Sequence, residues 1–211
     1  MTSITIVTPW LEHPELVADY TDAVLPELLD HDEVIVVDNG DAPGLPYART
    51  ITAGTNLGYA KGSNLGLERA TTDVVLFLNN DVRLGRRGWL DQIREAVRPG
   101  VLVGPLRDPE HAAVDGTRFP YIDGWCLAGM TDDLVALGGF DEHLEEPAYY
   151  SDNLLCLAAR EAGMRLRNVN VGLHHKLSAT AGPDGNPDAA PAAAHNRALY
   201  ITRARSVLAN L

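Results

Sequence analysis

The stretch Asp73-Val74-Val75-Leu76-Phe77-Leu78-Asn79-Asn80-Asp81 decides the fold. Residues 73–78 read as a strand buried on both faces, because the apolar run is unbroken rather than alternating. It ends abruptly in two amides and a carboxylate. A strand of this kind belongs inside a mostly parallel sheet whose two faces are covered by helices.

Outward from it, strand and helix signals alternate. Residues 3–7 form an apolar run stopped by Pro9, and residues 33–37 form a β-branched run stopped by Asp38-Asn39-Gly40. A short strand is expected over 49–52 and another over 101–103. Helical spacing covers 14–29, with Pro26 expected to kink or shorten its end, and also 59–70 and 89–97. This order predicts an α/β fold with a doubly wound, largely parallel sheet. In such sheets ligands bind beyond the carboxyl ends of the strands. Thr8, Asp38-Asn39 and Asn79-Asn80-Asp81 all fall there.

The second half is less regular. One or two strands are expected over 119–128, helices over 132–137 and 149–162, and a strand over 165–171 running into His174-His175. Residues 178–194 are rich in Ala, Pro, Gly and Asp and read as a mobile loop. A closing helix is expected over 195–208. Nothing in the sequence marks a repeat or a linker, so 1–211 reads as one domain.

A chain of 211 residues with 45% hydrophobic content can bury a sizeable core. The formal net charge of −12 argues against nucleic acid and anionic membrane as general partners, since both need a cationic surface. Lys61 and Lys176 are the two lysines, and the other cations are arginines, which suit phosphate but also reflect genome composition. Cys126 and Cys156 form no metal pattern and read as reduced, buried thiols of a cytoplasmic protein. No stretch approaches the ~20 apolar residues of a membrane span.

Asp81, delivered to the sheet edge with Asn79 and Asn80, could ligate a hard divalent cation that bridges to phosphate oxygens. Equally, these residues could open the turn that follows a strand. Four segments in order bear on the choice. They are Asp38-Asn39-Gly40, Asn56-Leu57-Gly58-Tyr59-Ala60-Lys61-Gly62-Ser63-Asn64-Leu65-Gly66, Leu78-Asn79-Asn80-Asp81 and Gly138-Gly139-Phe140-Asp141-Glu142. Together, across about residues 4–175, they resemble the family 2 glycosyltransferases, with the rhamnosyltransferase-like branch nearest in pattern.

The resemblance implies a GT-A-like fold, with a nucleotide-sugar-binding half over 1–104, an acceptor and catalytic half over 105–177, and the loop and closing helix over 178–211. It implies a donor that is a nucleoside diphosphate sugar, UDP- or dTDP-linked, a hydroxyl acceptor, and a divalent cation, Mn²⁺ or Mg²⁺. By position, Thr8, Pro9, Asp38, Asn39, Asn56, Gly58, Lys61, Asn64, Asn79 and Asn80 would shape the donor site, and Asp81 would be the metal ligand. Asn79 stands where the family's Asp-x-Asp motif has its first acid.

Asp152, in Tyr149-Tyr150-Ser151-Asp152-Asn153-Leu154, sits where inverting members carry the acid that deprotonates the acceptor; alternatively it caps a helix. His174 and His175 follow a strand, as does the family's late metal histidine. Alternation lets one face the pocket, and His174 is taken as that one. Trp125 is a sugar platform or a core residue, and Trp10 stands in the same position. Asp141 and Glu142 touch the acceptor or cap a turn. An ordering lid over 178–194 would exclude water on donor binding. Two rivals follow from the same residues: a non-catalytic nucleotide-sugar-binding protein, given Asn79, Ser151 and Asn153, and a nucleotidyltransferase, which would carry a Gly-rich phosphate loop absent from 4–14.

Overall fold

The computed structural model describes residues 2–108, 110, 113–144, 149–176 and 189–209. In its main sheet β1 (Ile4–Leu11) is flanked by β2 (Glu33–Gly40) and the central strand β4 (Val74–Leu78), both parallel to it. β3 (Arg49–Thr52) lies beyond β2. On the other side β11 (Cys126–Met130), β6 (Val101–Gly104) and β12 (Arg165–Asn168) complete a sheet of seven strands ordered β12-β6-β11-β4-β1-β2-β3. β11 alone in this sheet runs against its neighbours. The expected mostly parallel α/β sheet is therefore present, with one reversed strand that the apolar pattern did not announce.

Strand periodicity divides the core. Val74, Leu76 and Leu78 of β4 enter a layer with Ile4, Ile6, Trp10, Tyr20 and Trp89, beneath α1 (Val17–Val24) and α3 (Trp89–Ala96). Val75 and Phe77 enter the opposite layer with Val7, Phe140 and Leu155. That layer is covered by α2 (Gly58–Arg69), α4 (Thr131–Leu137) and α5 (Ser151–Glu161). Consecutive residues pointing to opposite faces explain why the run is apolar throughout.

The expected helix over 14–29 is broken. A 3-10 turn over Pro14–Leu16 leads into α1, and a second over Leu25–Glu27 ends it around Pro26, where the ring removes a hydrogen-bond donor. The expected strand over 165–171 stops at Asn168. Residues 119–128 contribute the short β10 (Tyr121–Ile122) and then β11.

Three small pairings surround the sheet: β7 (Leu106–Arg107) with β10, β8 (Ala113–Val114) with β9 (Thr117–Arg118), and β5 (Val82–Leu84) with β13 (Leu173–His175). The closing helix α6 spans Ala189–Ala209. It thus takes in 189–194, which the composition assigned to the loop. Alanine's helix propensity prevails there, and Pro191 is tolerated in the first turn. The remainder of the expected loop and lid lies outside the described residues. Among the described residues no helix is long and apolar enough to cross a membrane.

Helix α2 packs on the sheet through glycine. A Cβ at Gly66 would lie 2.2 Å from Val7 Cγ1, and one at Gly62 would lie 3.2 Å from Pro9 Cβ. Gly66→Ala should therefore destabilise by about 1–3 kcal/mol in urea denaturation despite alanine's better propensity. The same change in a Val7→Ala background should cost less than about 1 kcal/mol, because the clash is with that side chain.

Candidate functional site

The site is built where β4 ends. Asn79 N donates to Trp125 O at 2.9 Å, continuing the β4–β11 ladder one residue beyond Leu78 and Cys126. The chain then turns through Asn80 and Asp81, both buried, into β5. In the β5–β13 ribbon Val82 faces His175 and Arg83 faces His174. Val82 is fully buried, so its partner His175 turns inward while His174 is exposed. This corrects the expectation that His174 faces the pocket: the side is set by cross-strand register with a core valine, a constraint invisible in the His-His dipeptide.

His175 Nε2 lies 3.0 Å from Asp81 Oδ1 and 3.2 Å from Asn79 Nδ2. Its ring stacks flat on Trp125, with centroids 5.0 Å apart and planes at 8°. Trp125 is only 8% exposed, with one ring face covered by the histidine, so it supports His175 and presents no open platform for a sugar. Trp10 is fully buried in the α1 layer, with Nε1 donating to Glu12 O.

A divalent cation fits between Asp81 and His175. Asp81 Oδ1 is buried with no hydrogen-bond donor aligned on it, although it is a carboxylate oxygen. Two ligands on one octahedral ion, each roughly 2.1–2.2 Å from it, lie about 3 Å apart; Oδ1 and Nε2 are separated by 3.0 Å. An oxygen and an imidazole suit Mn²⁺ better than Mg²⁺. Among the described residues no group of three or more His, Cys, Asp or Glu converges.

Several residues expected around the donor serve the fold instead. Thr8 Oγ1 is buried and shares a 2.5 Å hydrogen bond with Tyr20 OH, in the layer beneath α1. Asn39 clamps the loop before α2: its Nδ2 donates to Gly58 O at 2.9 Å and its Oδ1 accepts from Leu57 N at 3.3 Å. Asn64 does the same for the Gly138–Glu142 stretch. Its Oδ1 accepts from Phe140 N at 2.8 Å, and its Nδ2 donates to Phe140 O at 2.8 Å and to Glu142 Oε1 at 2.9 Å. A Cβ at Gly139 would lie 2.3 Å from that Oδ1, which explains the glycine. Glu142 is thereby held on Asn64, and Asp141 Oδ1 accepts from His143 N at 2.9 Å, so both close a turn.

Others remain at the strand ends. Asp38 Oδ1 accepts from Gly40 N and Ala42 N at 2.9 and 3.0 Å. Asn56 Oδ1 accepts from Gly58 N at 2.8 Å, and Gly58 takes a φ of 73°, so the side chain shapes the turn that starts α2. Lys61 projects from the first turns of that helix into solvent. Among the described residues Asn80 Nδ2 is buried without a hydrogen-bond partner.

Asp152 is brought to the same edge by the segment preceding β11. Its Oδ2 accepts from Gly124 N at 2.9 Å and its Oδ1 from Asn153 N at 2.9 Å. Tyr59 OH donates to Gly124 O at 2.5 Å, a partner that no sequence pattern signals. Asp152 lies in the first turn of α5, but Tyr150 is the capping residue, so a cap role does not exhaust it. Burial pushes its pKa up to about 6, with nearby Asp123 adding to the effect and the two backbone N–H groups opposing it.

Against these residues stand three comparisons. The model of the family described as "Glycosyl transferase family 2" matches residues 5–130. The uncharacterized protein Rv1525 of Mycobacterium tuberculosis is 31% identical over 178 residues, covering 72% of this chain and 67% of that protein. The O-antigen biosynthesis protein RfbC of Myxococcus xanthus is 25% identical and covers 88% of this chain but 18% of its own length. Among solved structures, the mannosyltransferase PcManGT from Pyrobaculum calidifontis, in complex with GDP-Man and Mn²⁺, superposes with a TM-score of 0.67 at 17% identity. That likeness covers 98% of this chain and 74% of the other, and it bears out the GT-A-like fold.

The raised pKa of Asp152 has a stability consequence. Between its ordinary value of 3.8 and about 6 the folded chain holds this proton more tightly than the unfolded chain. The stabilisation is complete below that window and lost as pH rises through it. From pH 4 to pH 7 the stability difference should therefore move in favour of Asp152→Asn by roughly 1–3 kcal/mol, read by chemical denaturation at the two pH values.

Proposed function

The chain belongs to glycosyl transferase family 2, and from that premise we propose that it moves a sugar from a nucleoside diphosphate sugar to a hydroxyl acceptor with inversion. The observation that carries this reading is the convergence of a desolvated carboxylate, Asp152, and the Asp81–His175 pair on one four-residue segment, Asp123 to Cys126. Residues 1–104 hold the donor, 105–177 the acceptor.

Asp152 Oδ takes the proton of the acceptor hydroxyl. The acceptor oxygen then bonds the anomeric carbon as that carbon's bond to the diphosphate oxygen breaks, and attack from the opposite face inverts the centre. A carboxylate withdrawn from water is a stronger base than an exposed one, which suits it to this transfer. Asp81 and His175 would hold the divalent cation, Mn²⁺ in preference to Mg²⁺. When bound, that cation stabilises the charge developing on the leaving diphosphate. Asp38 and Asn56, at the ends of β2 and the start of α2, face the base and ribose, and a uridine or thymidine diphosphate is the donor nucleotide. Unpaired, buried Cys126 and Cys156 suit a cytoplasmic setting.

Calorimetric titration with a panel of nucleoside diphosphates, with and without Mn²⁺, tests the donor site. One nucleotide should bind in a Mn²⁺-dependent way, at least about tenfold more weakly in Asp81→Ala and in His175→Ala. His174→Ala should leave the affinity within about twofold to threefold, because its ring lies outside the site. Equal loss in both histidine variants, or binding indifferent to Mn²⁺, contradicts the assignment. Turnover should rise with pH through about 6, as the base ionises, and fall by about 100-fold or more in Asp152→Asn.

A further inference from the structure

Helix α6 presents a buried stripe at four-residue spacing, Ala192, Asn196, Tyr200 and Ala204, followed by Val207. Asn196 is wholly buried and sets an amide into this otherwise apolar and aromatic row. Its Nδ2 donates to Tyr149 O at 3.2 Å. Tyr200, one turn further on, lies under Tyr150, with ring centroids 5.4 Å apart and planes at 30°.

Both contacts fall on a strained pair. Tyr149 has a φ of 86° and Tyr150 a φ of 74°, left-handed values that bulky side chains rarely adopt. Neighbouring structure must hold such residues in place, and they gather where function needs them. Here they immediately precede α5: Tyr150 O accepts from Leu154 N at 3.0 Å as the helix opens, and Asp152 is its second residue. The left-handed pair fixes the direction in which that first turn starts, and hence whether Asp152 Oδ2 reaches Gly124 N.

We propose that Asn196 and Tyr200 are positioning residues: they lock Tyr149 and Tyr150 in the left-handed conformation and thereby aim the Asp152 carboxylate at Gly124 N. The inference rests on the reading of Asp152 as the base. Among the described residues, the titratable groups that face Asp152 are Asp123 before β11, Tyr59 on α2, Tyr121 on β10, and Cys156 on α5. None of these comes from α6, so the helix acts on the carboxylate through the backbone it holds and not through charge.

The test is a ¹³C NMR titration of the full chain, with the Asp152 carboxyl resonance assigned by its loss in Asp152→Asn. Wild type should titrate near 6. Asn196→Ala should release the carboxyl to water and weaken its proton affinity about tenfold, with circular dichroism and a cooperative melt confirming the fold. Adding Tyr149→Gly should restore the wild-type value, because glycine adopts positive φ without support. Tyr200→Leu, which keeps apolar volume but loses the stack, should act like Asn196→Ala, whereas Tyr200→Phe should leave the titration unchanged.

The proposal is overturned if folded Asn196→Ala or folded Tyr200→Leu keeps the wild-type titration, or if wild type titrates in the ordinary carboxylate range. Should Asn196→Ala not fold, the Tyr200 pair decides on the same criteria. Failure of the transfer reading shows itself elsewhere, as an Asp152→Asn variant that still turns over, and leaves the titration result standing.

Discussion

The antiparallel ladder between Val74–Leu78 and Cys126–Met130 joins the first half of the sheet to the second. Its last rung, Asn79 N to Trp125 O, extends past the strand proper, so the backbone stays fixed where it leaves the core. A buried backbone hydrogen bond contributes about 1 kcal/mol net, but leaving either partner unpaired there costs more. From that rung the rest follows. Trp125 supplies the flat surface on which His175 rests, and Gly124 supplies the N–H that Asp152 accepts. The reversed strand thus brings the segment that touches Asp152 and His175, both from the second half, against the end of the strand that leads to Asp81.

Polar residues near this edge divide into two kinds that look alike in a sequence. Asn39 and Asn64 have both amide atoms engaged by backbone groups and act as internal staples for segments without regular structure. Among the described residues, Asn80 Nδ2 and Asp81 Oδ1 are buried and make no hydrogen bond, Oδ1 meeting only the His175 ring at 3.0 Å. Burying such atoms is unfavourable unless another group completes them. The second kind suits the proposed site; the first explains why a segment has its shape.

This division also accounts for what could be read from the sequence. The central strand was legible because both its faces are core, and its end was legible because three consecutive polar residues cannot continue such a strand. The strand ends of β1 and β2 were legible too, but Thr8 turned to Tyr20 and Asn39 to the α2 loop, since local pairing depends on neighbours distant in sequence. His175 could have been chosen over His174 only by knowing that the ribbon pairs it with Val82. Asn196 gave no signal at all: in an alanine-rich helix it looks like an exposed polar residue, and its partner, the Tyr149 carbonyl, lies 47 positions away.

The account stands on a cation held between Asp81 and His175 at the end of the central strand. Anomalous diffraction at the manganese edge, from crystals grown with Mn²⁺ and a nucleoside diphosphate, tests this most directly. A single strong peak within bonding reach of Asp81 Oδ1 and His175 Nε2 is the predicted result. A peak on other residues, or nucleotide density there with no manganese beside it, would contradict the account.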